Sequence, residues 1–443
     1  MNLFLHTKDL RIHDNKGLHA SKQPTISLYV HDPRREIGRN PQRFIKRRLE
    51  TLHEEYEANG GSLIVRNGKT EDVIKALTKG YDIDTVYVNK RYDPTSKKIL
   101  KKIQDVVDVE TVQDDVVVSP DEYDDTPSSF SQFYTKWKKI DKPTPSPIPN
   151  NLVNIDTKKP SYEDTQQPTI PATTRDEAVK KWSDFKKDRI QTYKDERDNL
   201  SNPQGVSRLS PYYAIGILSV REVLYDVKNL IETSEKSSHI RNIAKYRSEL
   251  AWREFNKTVL AKNPSSLEEN YRDIDKIGWT NDKEEIQAWK QGQTGIPFVD
   301  AGMRELNKTG YMHNRLRQNV ASFLTKHLMT DWRIGRDYFK QHLFDHDIAS
   351  NTGGWQWSAS TGTDSVPLRI FNPEKQGRRY DKQARYIKTW VPELENVEPE
   401  HIHAWTSLTK EECDEIAPDY KPPIIDFDKR YKDGKAMYNR AFK

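Results

Sequence analysis

Cysteine is almost absent. Cys413 is the single one in 443 residues, which excludes an internal disulfide framework and a zinc site built on thiolates. Long apolar runs are missing too. No stretch approaches the roughly 18 apolar residues of a membrane helix, and "MNLFLHTKDL" turns polar too early for a secretory leader. The expectation is a cytoplasmic protein with no membrane anchor and no metal, acting as a monomer. Charge of one sign is scarce: 72 basic against 67 acidic residues leave +5, so a phosphate-binding surface can only be local. The fingerprint G-x-G-x-x-G does not follow the first apolar run, so a classical dinucleotide site is not indicated. No internal repeat of solenoid period is present.

What is present divides the chain into three. In residues 1–118 short β-branched runs (3–5, 25–30, 62–65, 85–88, 109–112) alternate with amphipathic patterns at 41–58, 70–79 and 95–107, and Pro41 and Pro94 sit at helix starts. Such alternation predicts an α/β domain with a parallel, Rossmann-like sheet. Residues 119–172 carry "KPTPSPIPN" and further prolines that break every period, which predicts a long surface linker. From 173 to 443 the pattern is all-α, clearest over 248–260 and 314–329.

Four places could carry chemistry. Glu249 and Arg253 lie four apart on one helix beside Trp252, either as a surface ion pair or as the lining of a cleft. "SRLSP" places Ser207 and Ser210 at a helix start, where hydroxyls and free N–H groups suit a phosphate. In "FDHDIASN", Asp345 and Asp347 flank His346 with Asn351 close behind, a donor set better matched to a heterocycle than to a metal. "GGWQW" then puts Trp355 and Trp357 two residues apart in what reads as a glycine loop.

"SELAWREF", "GIPFVDAGMRELNKTGYMHNRLRQNVASFLTKHL", "DWRIGRDYF", "NTGGWQWSASTGTD", "RIFNPEKQG" and "YIKTWVPEL" resemble, in this order, the FAD-binding domain of the photolyase/cryptochrome family. "DLRIHDN" after the first strand matches the family's N-terminal signature, and "GGWQW" with "STGTD" resembles its microbial cyclobutane pyrimidine dimer photolyases. The resemblance implies an α/β antenna domain (1–118), a linker (119–172) and a helical domain (173–443) that holds FAD, active as FADH⁻, and DNA containing the dimer. It implies FAD contacts from Tyr193, Ser207, Leu209, Ser210, Tyr246 and Arg253. Asp345 and Asp347 then bond the isoalloxazine and ribityl groups, Arg317 pairs with Asp345, and Asn351 faces flavin N5.

On the DNA side the resemblance implies that Glu249, Trp252, Asn314 and Gln318 meet the dimer while Arg197 and Arg315 hold the lesion strand. Trp357 is the wall for the extruded dimer. Trp355, Trp332 and Trp279 form an electron-transfer chain to the surface. Glu249 is assigned as a carboxylic acid kept protonated in a dry cleft, donating to a dimer carbonyl. The implied reaction is dimer splitting by an electron from photoexcited FADH⁻. The same flavin and tryptophans also suit a cryptochrome-like blue-light photoreceptor, and a glutamine at position 318 occurs in cryptochromes of the DASH type. Lys90, where folate-binding members often carry glutamate, favours 8-hydroxydeazaflavin or no antenna over methenyltetrahydrofolate.

Overall fold

The β-branched runs become five strands in the computed structural model, which describes residues 1–274, 276–364 and 366–442. They are β1 (Asn2–His6), β2 (Thr25–His31), β3 (Leu63–Asn67), β4 (Thr85–Asn89) and β5 (Asp108–Val112), joined by α1 (Lys16–Ala20), α2 (Arg39–Ala58), α3 (Thr70–Gly80) and α4 (Pro94–Gln104). All four pairings are parallel, in the order β3-β2-β1-β4-β5. Every residue of β1 is buried, as expected of a central strand covered on both faces. The winding reverses at β1, so the connections leaving β1 and β4 part and open a crevice beyond the strands' carboxyl ends.

The proline-rich connector holds more structure than its broken periodicity suggests. It contains α5 (Phe130–Lys139), whose Trp137 is fully buried and donates its indole N–H to Glu254 at 2.8 Å. Glu254 also accepts the backbone N–H groups of Val117 and Val118, so a buried carboxylate from the helical half pins the connector. Further on the chain pairs back onto the sheet through Leu152, beside Thr25.

Five later helices build the site: α6 (Ser237–Lys262), α7 (Pro297–Thr309), α8 (Asn314–Lys326), α9 (Trp332–His342) and α10 (Ile348–Ser358). The apolar stripe expected over 314–329 is the core face of α8, with Leu316, Val320, Phe323 and Leu324 buried. The helix stops at Lys326, and the chain then turns through Met329 at φ 49°. Lys326 itself is wholly buried. Its ammonium group donates to the Ser358 carbonyl and to Ser360 Oγ (3.0 Å), tying the end of α8 to the end of α10. Burial pulls this amine down to about 7.

The two halves meet across buried charge. Arg11 reaches Asp114 at 2.6 Å, and Arg221 from the helical half reaches Asp14 at 3.0 Å and Asp114 at 2.8 Å. None of these four side chains is more than 5% exposed.

Candidate active site

A cavity of about 530 Å³ opens between α6, α8, α9 and α10. At its inner end Asp345 Oδ2 accepts from Ser210 Oγ (2.6 Å) and Arg317 Nη2 (2.7 Å), while Asp345 Oδ1 is buried with no donor. A buried acceptor left unsatisfied costs about 1–3 kcal/mol, so this oxygen marks where a ligand's N–H or O–H belongs. Asp347 accepts the Ser350 N–H at 2.9 Å, capping α10, and lies 3.3 Å from Lys257. Burial pushes the Asp347 carboxyl up, but Lys257, Arg253 and Lys8 outweigh it and hold it well below the usual carboxylate range. Burial lowers His346, between the two acids, to about 3. Among the described residues no group of three metal-ligating side chains comes together.

"GGWQW" is not a loop. It forms the second half of α10, started by the Asp347 cap. Gly353 packs closely on Asn256: a Cβ there would lie 2.5 Å from its Oδ1, so the amide would have to shift. Two residues on an α-helix differ by about 200°, so the indoles diverge. Trp355 is 2% exposed and packs on the backbone of α9 at Gly335, where a Cβ would lie 2.0 Å from its ring. Its aromatic neighbours are Phe339 and Trp289, with ring centroids at 5.0 and 6.0 Å. Trp357 is half-buried on the cavity wall, with the Arg369 guanidinium 5.5 Å from its ring. Trp332, one turn before Gly335, is fully buried and donates to Asn270 Oδ1 at 3.1 Å. Trp279 is half-buried against Tyr438. Asn351 donates to the Arg336 carbonyl at 3.0 Å and lines the cavity.

The outer end is a rim of alternating charge. Glu249 forms ion pairs with Arg197 and Lys245 (2.6 Å to the second), while Arg253 turns inward to Asp115 at 3.1 Å. Of the two readings for Glu249 and Arg253, the mutual ion pair does not form, and both residues line the cavity. Nor does Glu249 stand as a lone acid in a dry cleft, because two cations share it. Arg315 pairs with Asp198 (2.6 Å) and donates to Gln318 at 3.2 Å. Asn314 is exposed at the start of α8. Trp252 lines the cavity with Phe130 of α5 stacked on it at 3.9 Å.

Three of the residues assigned to FAD stand behind this lining. Tyr193, Leu209 and Tyr246 are buried, and Tyr246 donates to Ser207 Oγ at 3.2 Å. Ser207 faces a neighbouring open groove beside Lys181 and Arg189. The Ser210 hydroxyl is engaged by Asp345.

A second cavity, about 680 Å³, occupies the crevice at the sheet's carboxyl ends and continues toward α9 and α10. Lys8, Arg34, Arg35, Arg91, Arg336 and Lys340 face it, and so do Glu36, Asp93, Glu268 and Asp337. Lys90 points elsewhere, to Asp121 on the surface at 2.9 Å.

Comparison with known proteins accounts for both halves. Residues 2–150 match the family model described as DNA photolyase, and residues 246–440 match the FAD binding domain of DNA photolyase. The deoxyribodipyrimidine photo-lyase of Halobacterium salinarum is 36% identical over 100% of this chain and 99% of its own. The chain belongs to the photolyase/cryptochrome family. Among solved structures, a bacterial class III photolyase from Agrobacterium tumefaciens is similar at TM-score 0.89 and 32% identity, covering 99% of this chain and 97% of its own. An archaeal photolyase from Sulfolobus tokodaii with two FAD molecules is similar at TM-score 0.83 and 31% identity, covering 99% of this chain and 100% of its own.

A member of this family with that FAD-binding domain takes FAD, and the residues present fit it. The donorless Asp345 Oδ1 is a buried acceptor that would suit a flavin N–H. Sequence reasoning missed Trp289, Gly335, Phe130 and His313. The first two are core residues whose partner lies on another helix. Phe130 sits in a segment read as linker, and His313 has an ordinary N-cap position. Only "HNRLR", already quoted for its flanking residues, could have drawn attention to the histidine.

Proposed function

We propose that this protein is a light-dependent DNA-repair enzyme, a deoxyribodipyrimidine photo-lyase. It splits cyclobutane pyrimidine dimers in DNA with an electron from photoexcited FADH⁻. The two-ended cavity carries the reading. Its inner end offers Asp345, Asp347, Arg317 and Asn351 to a flavin, and its outer end offers Glu249, Asn314, Gln318 and Trp357 to a pyrimidine pair. A dimer must leave the helix to be reached, and a lesion with weakened stacking costs less to flip. Trp357 then supplies a stacking face. Arg197 and Arg315 take the strand phosphates. As the phosphates draw Arg197 away from Glu249, that side chain is freed to hydrogen-bond the dimer. Trp355, Trp332 and Trp279 relay electrons inward when the flavin is oxidised.

The second cavity supports a second chromophore. The crevice at the topological switch point has room for a flat polar ring system, lined by cations that are largely paired with neighbouring carboxylates; with Lys90 where folate-binding members often carry glutamate, 8-hydroxydeazaflavin is favoured over methenyltetrahydrofolate. On this reading residues 1–118 are the antenna domain, 119–172 the linker and 173–443 the catalytic domain. We read the protein as a monomer working in the cytoplasm. No helix among the described residues is long and apolar enough to cross a membrane.

The test is repair by chemically reduced protein under near-UV or blue light. Thymines return in DNA bearing cyclobutane dimers, and (6-4) products stay untouched. Protein that photoreduces FAD yet repairs neither duplex nor single-stranded dimers is a photoreceptor instead. Mass spectrometry of the extracted pigments identifies the second chromophore.

A further inference from the structure

The rim of the cavity comes from two segments far apart in the chain: the turn holding Arg197 and the start of α8 with Asn314 and Arg315. Arg315 grips Asp198 across them with two hydrogen bonds (2.9 and 2.6 Å), and a histidine joins their backbones. His313 is the N-cap of α8, and its Nδ1 accepts the Arg315 N–H at 3.1 Å. Its Nε2 lies 2.9 Å from the Arg197 carbonyl oxygen, 116 positions away. A backbone N–H can only donate and a carbonyl can only accept. One form of the ring therefore satisfies both contacts: neutral imidazole with the proton on Nε2.

We propose that His313 is a positioning residue for lesion recognition, locking the Arg197 turn to the start of α8 so that Arg197, Asn314 and Arg315 present one fixed rim. This rests on the reading that the rim takes the dimer and its strand. The surroundings maintain the required form. Burial lowers the His313 imidazole to about 4; Arg197 and Arg317 act in the same direction, and Asp198 and the Arg197 carbonyl oppose them. Glu305, which accepts the His313 backbone N–H at 3.3 Å, is committed to the Tyr386 hydroxyl. Asp198 is engaged by Arg315 at 2.6 Å. The ring is thus a neutral linker at working pH, and it fixes the rim's geometry without adding to its charge.

Substitutions at this position separate the tie from the cap. His313→Asn keeps a capping oxygen and is too short to reach the Arg197 carbonyl. His313→Gln can reach that carbonyl and caps poorly. His313→Phe does neither. Binding is measured for a duplex oligonucleotide with one thymine cyclobutane dimer and for the same duplex undamaged, together with FAD content and photoreduction rate.

The expected result for His313→Asn is unchanged FAD content and photoreduction, with lesion affinity lower by about 10-fold, the effect of one well-made hydrogen bond, and a smaller loss for undamaged DNA, whose phosphates meet the same arginines. His313→Gln recovers part of the loss, and His313→Phe loses at least as much. Wild-type lesion affinity in His313→Asn overturns the proposal. So does a parallel loss of FAD, which makes the residue a scaffold element. If wild-type protein does not prefer damaged DNA, the photolyase reading itself has failed.

Discussion

Glu249 and Arg253, one turn apart on α6, serve opposite ends of the cavity: Glu249 bonds outward to Arg197 and Lys245, Arg253 inward to Asp115. Asp115 also holds Lys257 at 2.6 Å, and Lys257 lies 3.3 Å from Asp347. One helix therefore separates a rim whose cations can be released to a polyanion from an interior whose cations are committed to carboxylates.

Glu249→Gln tests the rim. Losing the carboxylate frees Arg197 and Lys245, so affinity for undamaged DNA rises and its salt dependence steepens by about one to two released counterions. Dimer repair yield falls several-fold while FAD is retained. Equal salt slopes for mutant and wild type, measured by fluorescence anisotropy, refute the ion-pair account.

Trp355→Phe removes the indole nearest the proposed flavin position. Photoreduction under blue light with a thiol slows at least about 10-fold, a barrier change near 1.4 kcal/mol. Repair by dithionite-reduced mutant persists, because that electron does not pass through Trp355. An unchanged photoreduction rate takes this tryptophan out of the relay.

Trp357→Ala weakens binding of dimer-containing DNA by about 1–3 kcal/mol, the range for base–aromatic stacking. Undamaged DNA, held by phosphate contacts, binds as before. Matched losses on both DNAs would assign Trp357 to the fold.

Lys326 links stability to pH. Its folded-state value, about 7, lies below the ordinary 10.5, so between these values the unfolded chain binds the extra proton. Stability from this group therefore rises with pH from about 7 to about 10, by an amount on the order of a few kcal/mol, and is level below 7. Urea titrations across that range show the rise in wild type. Lys326→Met removes that part of the slope, and identical pH profiles for the two proteins would contradict it.

Alternation of β-branched runs with amphipathic stretches located all five strands to within about two residues, because each periodicity reports a local contact with the core. The ends were less legible: α8 stops three residues short of 329, where the chain turns through Met329 at φ 49°, a backbone conformation that side-chain periodicity does not report. The glycines of "GGWQW" misled for a related reason. Gly353 lets α10 approach Asn256 closely, and local propensity reads such a residue as flexibility. Glu249 was placed at the cavity from its motif, yet its ion-pair partners are Arg197 and Lys245, of which only the second shares its helix.

The buried quartet of Arg11, Asp14, Asp114 and Arg221 bears on how the chain can be cut. A helical fragment starting at residue 173 keeps Arg221 and loses both of its carboxylates. Cut in this way, the guanidinium is solvated by water, and the larger loss is apolar: Phe44 packs on Tyr212 and Phe344 across the same boundary, and the deletion uncovers that side of both rings. A helical fragment made by truncation should therefore come out of cells aggregated.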